Sequence, residues 1–486
     1  MLEASRRKFL GASLIGAGTA LHGLGACDSG ARLTVKGQGM LRRIPTLPKG
    51  LVEATSFPLI EAIHGRRSRR FARGASIPDG PLAFTSKHAP SPLTELEQML
   101  LLTTVAGNTG WSNLIPYNRN YLPRIPNYAS GAGGRTFPSC AGFQIAEFFY
   151  TDDNGVYFLP TRDMPAVDAR IGTDETDLQA YLDAHKQRIV QIADGRLHIP
   201  AQAQHLEMHN EWCTNVPGST LIIPVADLAQ HVLLVLCYLV QNGACVYDDI
   251  NRRPIPGMEA FRHLVDIDNP YPLSYVEQTS HVEVTVELSC ACYSGALMLQ
   301  AMGLGGWMYD GINPFSVLGA SGDPAVPGLG FRSELIDGLP LPHVTGLDGI
   351  LEGHCPPHFA DMRAAVEAVV RRKFGPGGPY HEATPGPYRE TDAVRRSGVP
   401  INDEFVECVT TMAQYAYDTF GRFPATVPAI FTLMYLQAHR LDTEFYDTHF
   451  KPGAYLRTHA DNAANWACSP AHAAGRSPAA CRRTDT

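Results

Sequence analysis

Beyond its first thirty residues the chain is expected to lack a stretch able to span a bilayer. The best apolar run, residues 221–240, is interrupted by Pro224, Asp227, Gln230 and His231, and is expected to be a buried strand followed by a core helix. It also lacks a basic excess: the formal charge is −8, which speaks against nucleic acid as a partner. Cysteine is present but without the CxxC spacing of redox or zinc motifs, the tightest pair being Cys290-x-Cys292. The other thiols are spaced widely and irregularly in a chain large enough to fold on its core alone. Few disulfides are expected, with Cys468 and Cys481 the best-placed pair. There is no internal repeat, and no nucleophile–base pair stands out.

What is present begins at the N-terminus. Ser5-Arg6-Arg7-Lys8-Phe9-Leu10 matches a twin-arginine export signal, and an uncharged apolar run ends in Leu24-Gly25-Ala26-Cys27, resembling a lipobox. Cleavage and lipidation at Cys27 are expected, giving an exported chain tethered to a membrane surface, periplasmic or at the cell surface. The signal carries Arg6, Arg7 and Lys8 against Glu3, a net +2, so its removal leaves about −10. Twin-arginine substrates are exported folded, often around a cofactor, so a cofactor site is sought. A length of 486 residues suggests two domains, and 44 % hydrophobic with 18 % charged residues is an ordinary globular composition.

Residues 28–56 have no long periodicity and are expected to be a tether. Thr94-Glu95-Leu96-Glu97 forms a capping box opening a helix that Gly107 can stop. Residues 145–150 and 156–159 suggest two strands joined by the Asp152-Asp153-Asn154-Gly155 hairpin turn. An amphipathic helix is expected over 174–192, a strand over 282–288, and a small-residue helix over 293–302 closed by Gly303-Leu304-Gly305. Residues 374–388, rich in Gly and Pro, read as the clearest linker. Helices are expected over 405–420 and 428–441, with Thr426 near an N-cap.

Arg66-Arg67-Ser68-Arg69-Arg70 concentrates forked donors and a hydroxyl in five residues, which suits a phosphate; taken alone it reads first as a solvated basic turn. Its neighbours change that reading. An RRSxR stretch, a Leu-rich helix, the Pro138-Ser139 turn feeding a hairpin, and a small-residue helix ending in Gly-Leu-Gly together resemble the nitroreductase-like flavoprotein family. The likeness spans residues 57–335 and is nearest the branch of azoline-oxidising dehydrogenases.

That resemblance implies an α+β fold, a central mixed or antiparallel sheet flanked by helices, binding FMN. It implies that Arg66, Arg67, Ser68 and Arg70 hold the cofactor's phosphate and that Pro138, Ser139, Cys140, Gly142 and Gln144 lie against its ring. Gly142 stands where many nitroreductases have Asn, as is usual in the azoline branch. Glu287 and Ser289 fall where an acidic-x-Gly loop approaches the flavin, here without the glycine, and Arg332 falls where a last basic residue nears the phosphate. The family's sites form between two subunits, so a homodimer is implied.

The expected organisation is a signal (1–27), a tether (28–56), a flavin-binding domain (57–335), a linker region (336–400) and a helical C-terminal extension (401–486). The late histidines, His354 and His358 with His439, His449 and His459, are assigned to capping and packing rather than to a metal, although His439-x-x-Asp442 has helical spacing. Residues 437–452, dense in aromatics and charges, suggest an organised surface. The expected function is an FMN-dependent oxidoreductase passing hydride between a small-molecule or peptide substrate and an acceptor or donor such as quinone. The alternative is a binding or maturation protein that kept the fold and lost catalysis.

Overall fold

The computed structural model describes residues 54, 56–127, 133–162, 164, 178–339 and 341–467. The expected signal, nearly all of the tether, and Cys468 and Cys481 lie outside them.

A seven-stranded antiparallel sheet organises the chain. Its strands are β1 (Ala146–Thr151), β2 (Gly155–Leu159), β3 (Val190–Asp194), β4 (Thr220–Asp227), β5 (Gly305–Tyr309), β6 (Ile430–Phe431) and β7 (Tyr435–His439), in the order β5-β7-β4-β1-β2-β3, with β6 also paired to β4. The β1–β2 hairpin forms as expected around Asp152, whose Oδ1 accepts from Asn154 and Gly155 N–H. All eight positions of β4 are buried because both faces are covered. Alternate side chains divide between two cores: Ile222 and Ala226 enter one, Leu221, Ile223 and Val225 the other. Full burial of each such large aliphatic side chain stabilises the fold by roughly 1.5–3 kcal/mol.

The helices are α1 (Leu59–Gly65), α2 (Glu95–Ala106), α3 (Leu178–Lys186), α4 (Leu228–Gln241), α5 (Leu273–Met302), α6 (Met362–Phe374), α7 (Asp403–Phe420), α8 (Thr443–His449) and α9 (Arg457–Ala467). Of these, α2 to α7 cover the first core, while Phe445 and Tyr446 of α8 pack with Phe71 in a separate cluster. The capping box opens α2 as expected, Thr94 and Glu97 each satisfying the other's backbone N–H. The 221–240 run is β4 followed by α4, also as expected. Gly295 allows α5 its close approach, since a Cβ there would lie 2.4 Å from Leu436 and 2.5 Å from Val105.

Several expectations are corrected. Residues 282–288 are mid-helix in α5, not a strand: Val282, Val284 and Val286 alternate like a strand, but burial recurs at Val284, Glu287, Leu288, Ala291 and Gly295, a helical period. The same helix absorbs residues 293–302. The 174–192 segment yields the shorter α3 and then β3, with 174–177 outside the described residues. Residues 428–441 are the buried strands β6 and β7 rather than a helix, because a short apolar run carries no period of its own. β7 lies inside the sheet between β5 and β4, so the C-terminal part is integral to the fold rather than a helical extension. The 374–388 segment is no free linker. Arg395 donates to the carbonyls of Pro379, His381 and Pro385, and Tyr380 and Tyr388 donate to Pro126 and Leu114. The described residues all fall within one compact unit.

Candidate functional site

The arginine stretch leaves α1 in extended conformation, with Arg66 at φ −61° and ψ 125°. It then runs beside β5: Gly306 N–H donates to Arg69 O at 2.8 Å, and Arg73 N–H donates to Arg440 O at 3.0 Å. Arg69 is buried, donating to Gln300 Oε1 at 2.5 Å, Ala454 O at 2.9 Å and Gly65 O at 3.1 Å. Burial lowers its pKa to about 10, with Tyr446 opposing and Arg67 and Arg66 adding to the fall. Arg69 is thus a structural residue.

Its neighbours face outward into a cleft of about 470 Å³. It is lined by Arg67, Ser68, Arg69 and Arg70 and by the aromatic residues Phe71, Trp212, Phe445, Tyr446 and Phe450. Arg70 donates to Asn210 Oδ1 at 3.0 Å, and its guanidinium lies 5.6 Å from the Trp212 ring centroid and 5.9 Å from that of Trp307. Arg67 folds back onto the carbonyls of His64 and Arg66. Phe445 stacks on Phe71 with centroids 4.1 Å apart. Arg66, half-buried at the end of α1, does not line the cleft.

The Pro138–Gln144 turn lies elsewhere. Ser139 Oγ donates to Glu287 and accepts from Gln144 N–H at 2.9 Å, while Ala146 N–H donates to the other Glu287 oxygen at 2.8 Å. Cys140 Sγ approaches Glu283 O at 3.8 Å. The turn bends through positive φ at Ala141 (53°), Gly142 (68°) and Gln144 (53°), backbone strain concentrated at non-glycine residues. Glu287 is buried, and burial raises its pKa against the opposing effect of Ser139 and Ala146. It is a carboxyl that anchors the turn on α5, not a loop residue. Its separation from Gln300, which holds Arg69, is thirteen residues or about 20 Å of helix.

Within one chain, then, the cleft gathers Arg67, Ser68 and Arg70, and the turn gathers Pro138, Ser139, Cys140, Gly142 and Gln144 with Glu287. Ser289 is half-buried on α5, apart from the cleft. Arg332 is on an exposed strand, Arg332–Glu334, and pairs with Asp348 at 2.7 Å, so no contact takes it to the arginine cleft. His439 is on strand β7, which removes the helical spacing to Asp442; Asp442 instead caps α8. The sequence reading missed Asn210, Trp212 and Gln300. The aromatic density at 445–450 was the legible signal for the aromatic part of the lining.

No protein-family model matches the chain, and no curated protein matches it. Among solved structures, a protein of Ralstonia eutropha provisionally assigned as a nitroreductase is similar at 11 % identity, covering 53 % of this chain and 72 % of that one, with a TM-score of 0.23. A likeness of that size carries no argument.

Proposed function

We propose that this chain is an exported, lipid-tethered oxidoreductase that binds FMN in the arginine cleft. The observation that carries the reading is the joint lining of one cleft by forked cations and a hydroxyl at Arg67, Ser68 and Arg70 and by aromatic side chains at Trp212, Phe445, Tyr446 and Phe450. The first suits a phosphate and the second a planar ring. The volume is within the range of cofactor pockets. FMN would supply hydride transfer, between an organic substrate and a partner such as quinone, while the chain binds, orients and excludes water.

The strained Pro138–Gln144 turn, too far along α5 to share one cleft with Arg67 in the same chain, is read as the ring-facing element of a second copy. Supporting a homodimer, α5 exposes Tyr275, Val282, Val286 and Tyr293 at spacings of seven, four and seven, one apolar stripe on a 30-residue helix.

The test is flavin content. Protein expressed with ample riboflavin should carry one FMN per chain, and Arg67→Ala with Ser68→Ala should lose it while keeping its circular dichroism. A double variant with full flavin content removes the cleft from the assignment. A colourless wild type that takes up no added FMN supports the inactive binding or maturation role instead.

A further inference from the structure

Charge is divided unevenly along the chain. Residues 28–67 carry seven Lys or Arg against three Asp or Glu, a net +4, while residues 68–486 carry a net −14. A basic start on an otherwise acidic chain suits an anionic surface.

The fold adds an apolar element at the same place. α1 lies beside α5, and Gly65 at its end lies against Leu456, yet Ala62 is the one buried residue of the helix. Leu59, Ile60 and Ile63 are between 43 % and 65 % exposed. Positions i, i+1 and i+4 fall within about 100° of arc on a helix, so the three share one exposed face. Grouped large aliphatics of this kind mark an interaction surface, where scattered ones would not. Arg66 and Arg67 follow the helix directly, and Glu61 is its one acidic residue.

We propose that α1 and the basic segment before it form a docking face for an anionic lipid bilayer. Leu59, Ile60 and Ile63 enter the boundary between headgroups and acyl chains, and the basic residues of 28–67 pair with lipid phosphates. This docking depends on the lipid tether proposed above, not on a bound flavin. Cys27 precedes Leu59 by 32 residues, so a chain tethered there meets the bilayer at high effective concentration, and a small face suffices to hold it. A second copy is the poorer occupant, because joining two such faces would bring two +4 segments together. Arg67 connects the face to the cleft: it donates to His64 O of α1 and lines the cleft together with Leu82 and Phe450, which are also exposed. Docking through α1 therefore holds the cleft near the bilayer, within reach of an apolar redox partner dissolved there.

The experiment uses the chain from Asp28 onward, which has no lipid and keeps every described residue. It is floated with vesicles of phosphatidylglycerol and phosphatidylcholine, and with vesicles of phosphatidylcholine alone. The expected result is co-flotation with the anionic vesicles, weakened by salt. Ile60→Asp with Ile63→Asp should lower the partition about tenfold or more. Arg42→Gln, Arg43→Gln and Lys49→Gln together should lower it about a hundredfold, at roughly fivefold per charge. Circular dichroism should be unchanged in both. The proposal is overturned if the wild type does not float, if it binds both kinds of vesicle equally, or if the aliphatic variant floats like the wild type. It is also overturned if sedimentation without vesicles shows a dimer that the aliphatic variant dissociates, which assigns the face to a second copy. Failure of the tether is read separately, as full-length chain whose Cys27 carries no lipid by mass spectrometry, and it leaves a positive flotation standing.

Discussion

Lowering the pH from 7 to 5 should destabilise the folded chain through four buried histidines. His231, His439 and His459 are about 1 % exposed and His343 2 % exposed. Burial is the leading cause in each, depressing the pKa from 6.5 to about 3 for the first three and to about 4 for His343. Arg69 lowers His459 further, and Arg422 lowers His343. With folded values below the unfolded 6.5, the unfolded chain binds protons first. Stability is therefore full above pH 6.5 and falls as pH drops toward the folded values. At pH 5 His343, His439 and His459 each cost about 2 kcal/mol, from 1.36 kcal/mol per unit over roughly 1.5 units, and the three cost about 6 kcal/mol; His231 adds less, because Glu283 Oε2 lies 3.4 Å from its Nε2 and opposes the loss. That is comparable with the whole stability of an ordinary domain, about 5–15 kcal/mol.

Glu277, Glu283 and Glu287 act in the opposite sense, since burial raises their pKa values and the folded chain takes up their protons first on acidification. The net loss is accordingly smaller than the histidine sum, and single variants isolate each term. Urea unfolding followed by tryptophan fluorescence and by circular dichroism at pH 7, 6 and 5 is the assay, with coincident transitions required. His343→Leu, His439→Leu and His459→Leu should each shrink the loss between pH 7 and 5 by about 2 kcal/mol. An identical loss in the wild type and all three variants would refute the reasoning.

Two further outcomes follow from buried contacts. Arg440 donates to both Glu97 oxygens with side chains 1 % and 5 % exposed, so Arg440→Met should cost about 3–5 kcal/mol by leaving Glu97 uncompensated. Adding Glu97→Gln should recover most of that loss in the same urea titration. Gly303 ends α5 at φ +68°, and a Cβ there would meet Thr458 O at 2.0 Å, so Gly303→Ala should lower the melting temperature and loosen α9. Limited proteolysis detects the loosening as earlier cleavage near residue 457.

Local chemistry explains which elements were legible. Thr94 with Glu97 announces α2 because a capping box satisfies its orphan N–H groups within four residues. Asp152 to Gly155 announces a hairpin for the same reason. The arginine stretch announced a polar site, yet its four guanidiniums differ by position alone. Arg69 is consumed by Gln300, Ala454 and Gly65, Arg70 is clamped by Asn210 and two indoles, and Arg67 faces the cleft. Nothing in the spacing of RRSRR distinguishes these fates, because partners 140 to 385 residues away assign them. Arg332 and Glu287 fail for the same cause: a motif position states neither which strand edge nor which helix face the residue will occupy.

The amino-acid sequence by itself determined the short-range features: the capped helix, the hairpin, and the buried β4–α4 unit. Their signals are hydrogen bonds and hydrophobic periods contained within about twenty residues. Tertiary structure alone decided that 282–288 is helix, since burial on α5 overrides the alternation of its valines. It also decided that 435–439 enters the middle of the sheet, because so short a buried run takes its form from whichever neighbours complete its hydrogen bonds. β5 and β4 supply them, from 126 and 214 residues earlier in pairs such as Tyr309 with Tyr435 and Ile222 with Leu436.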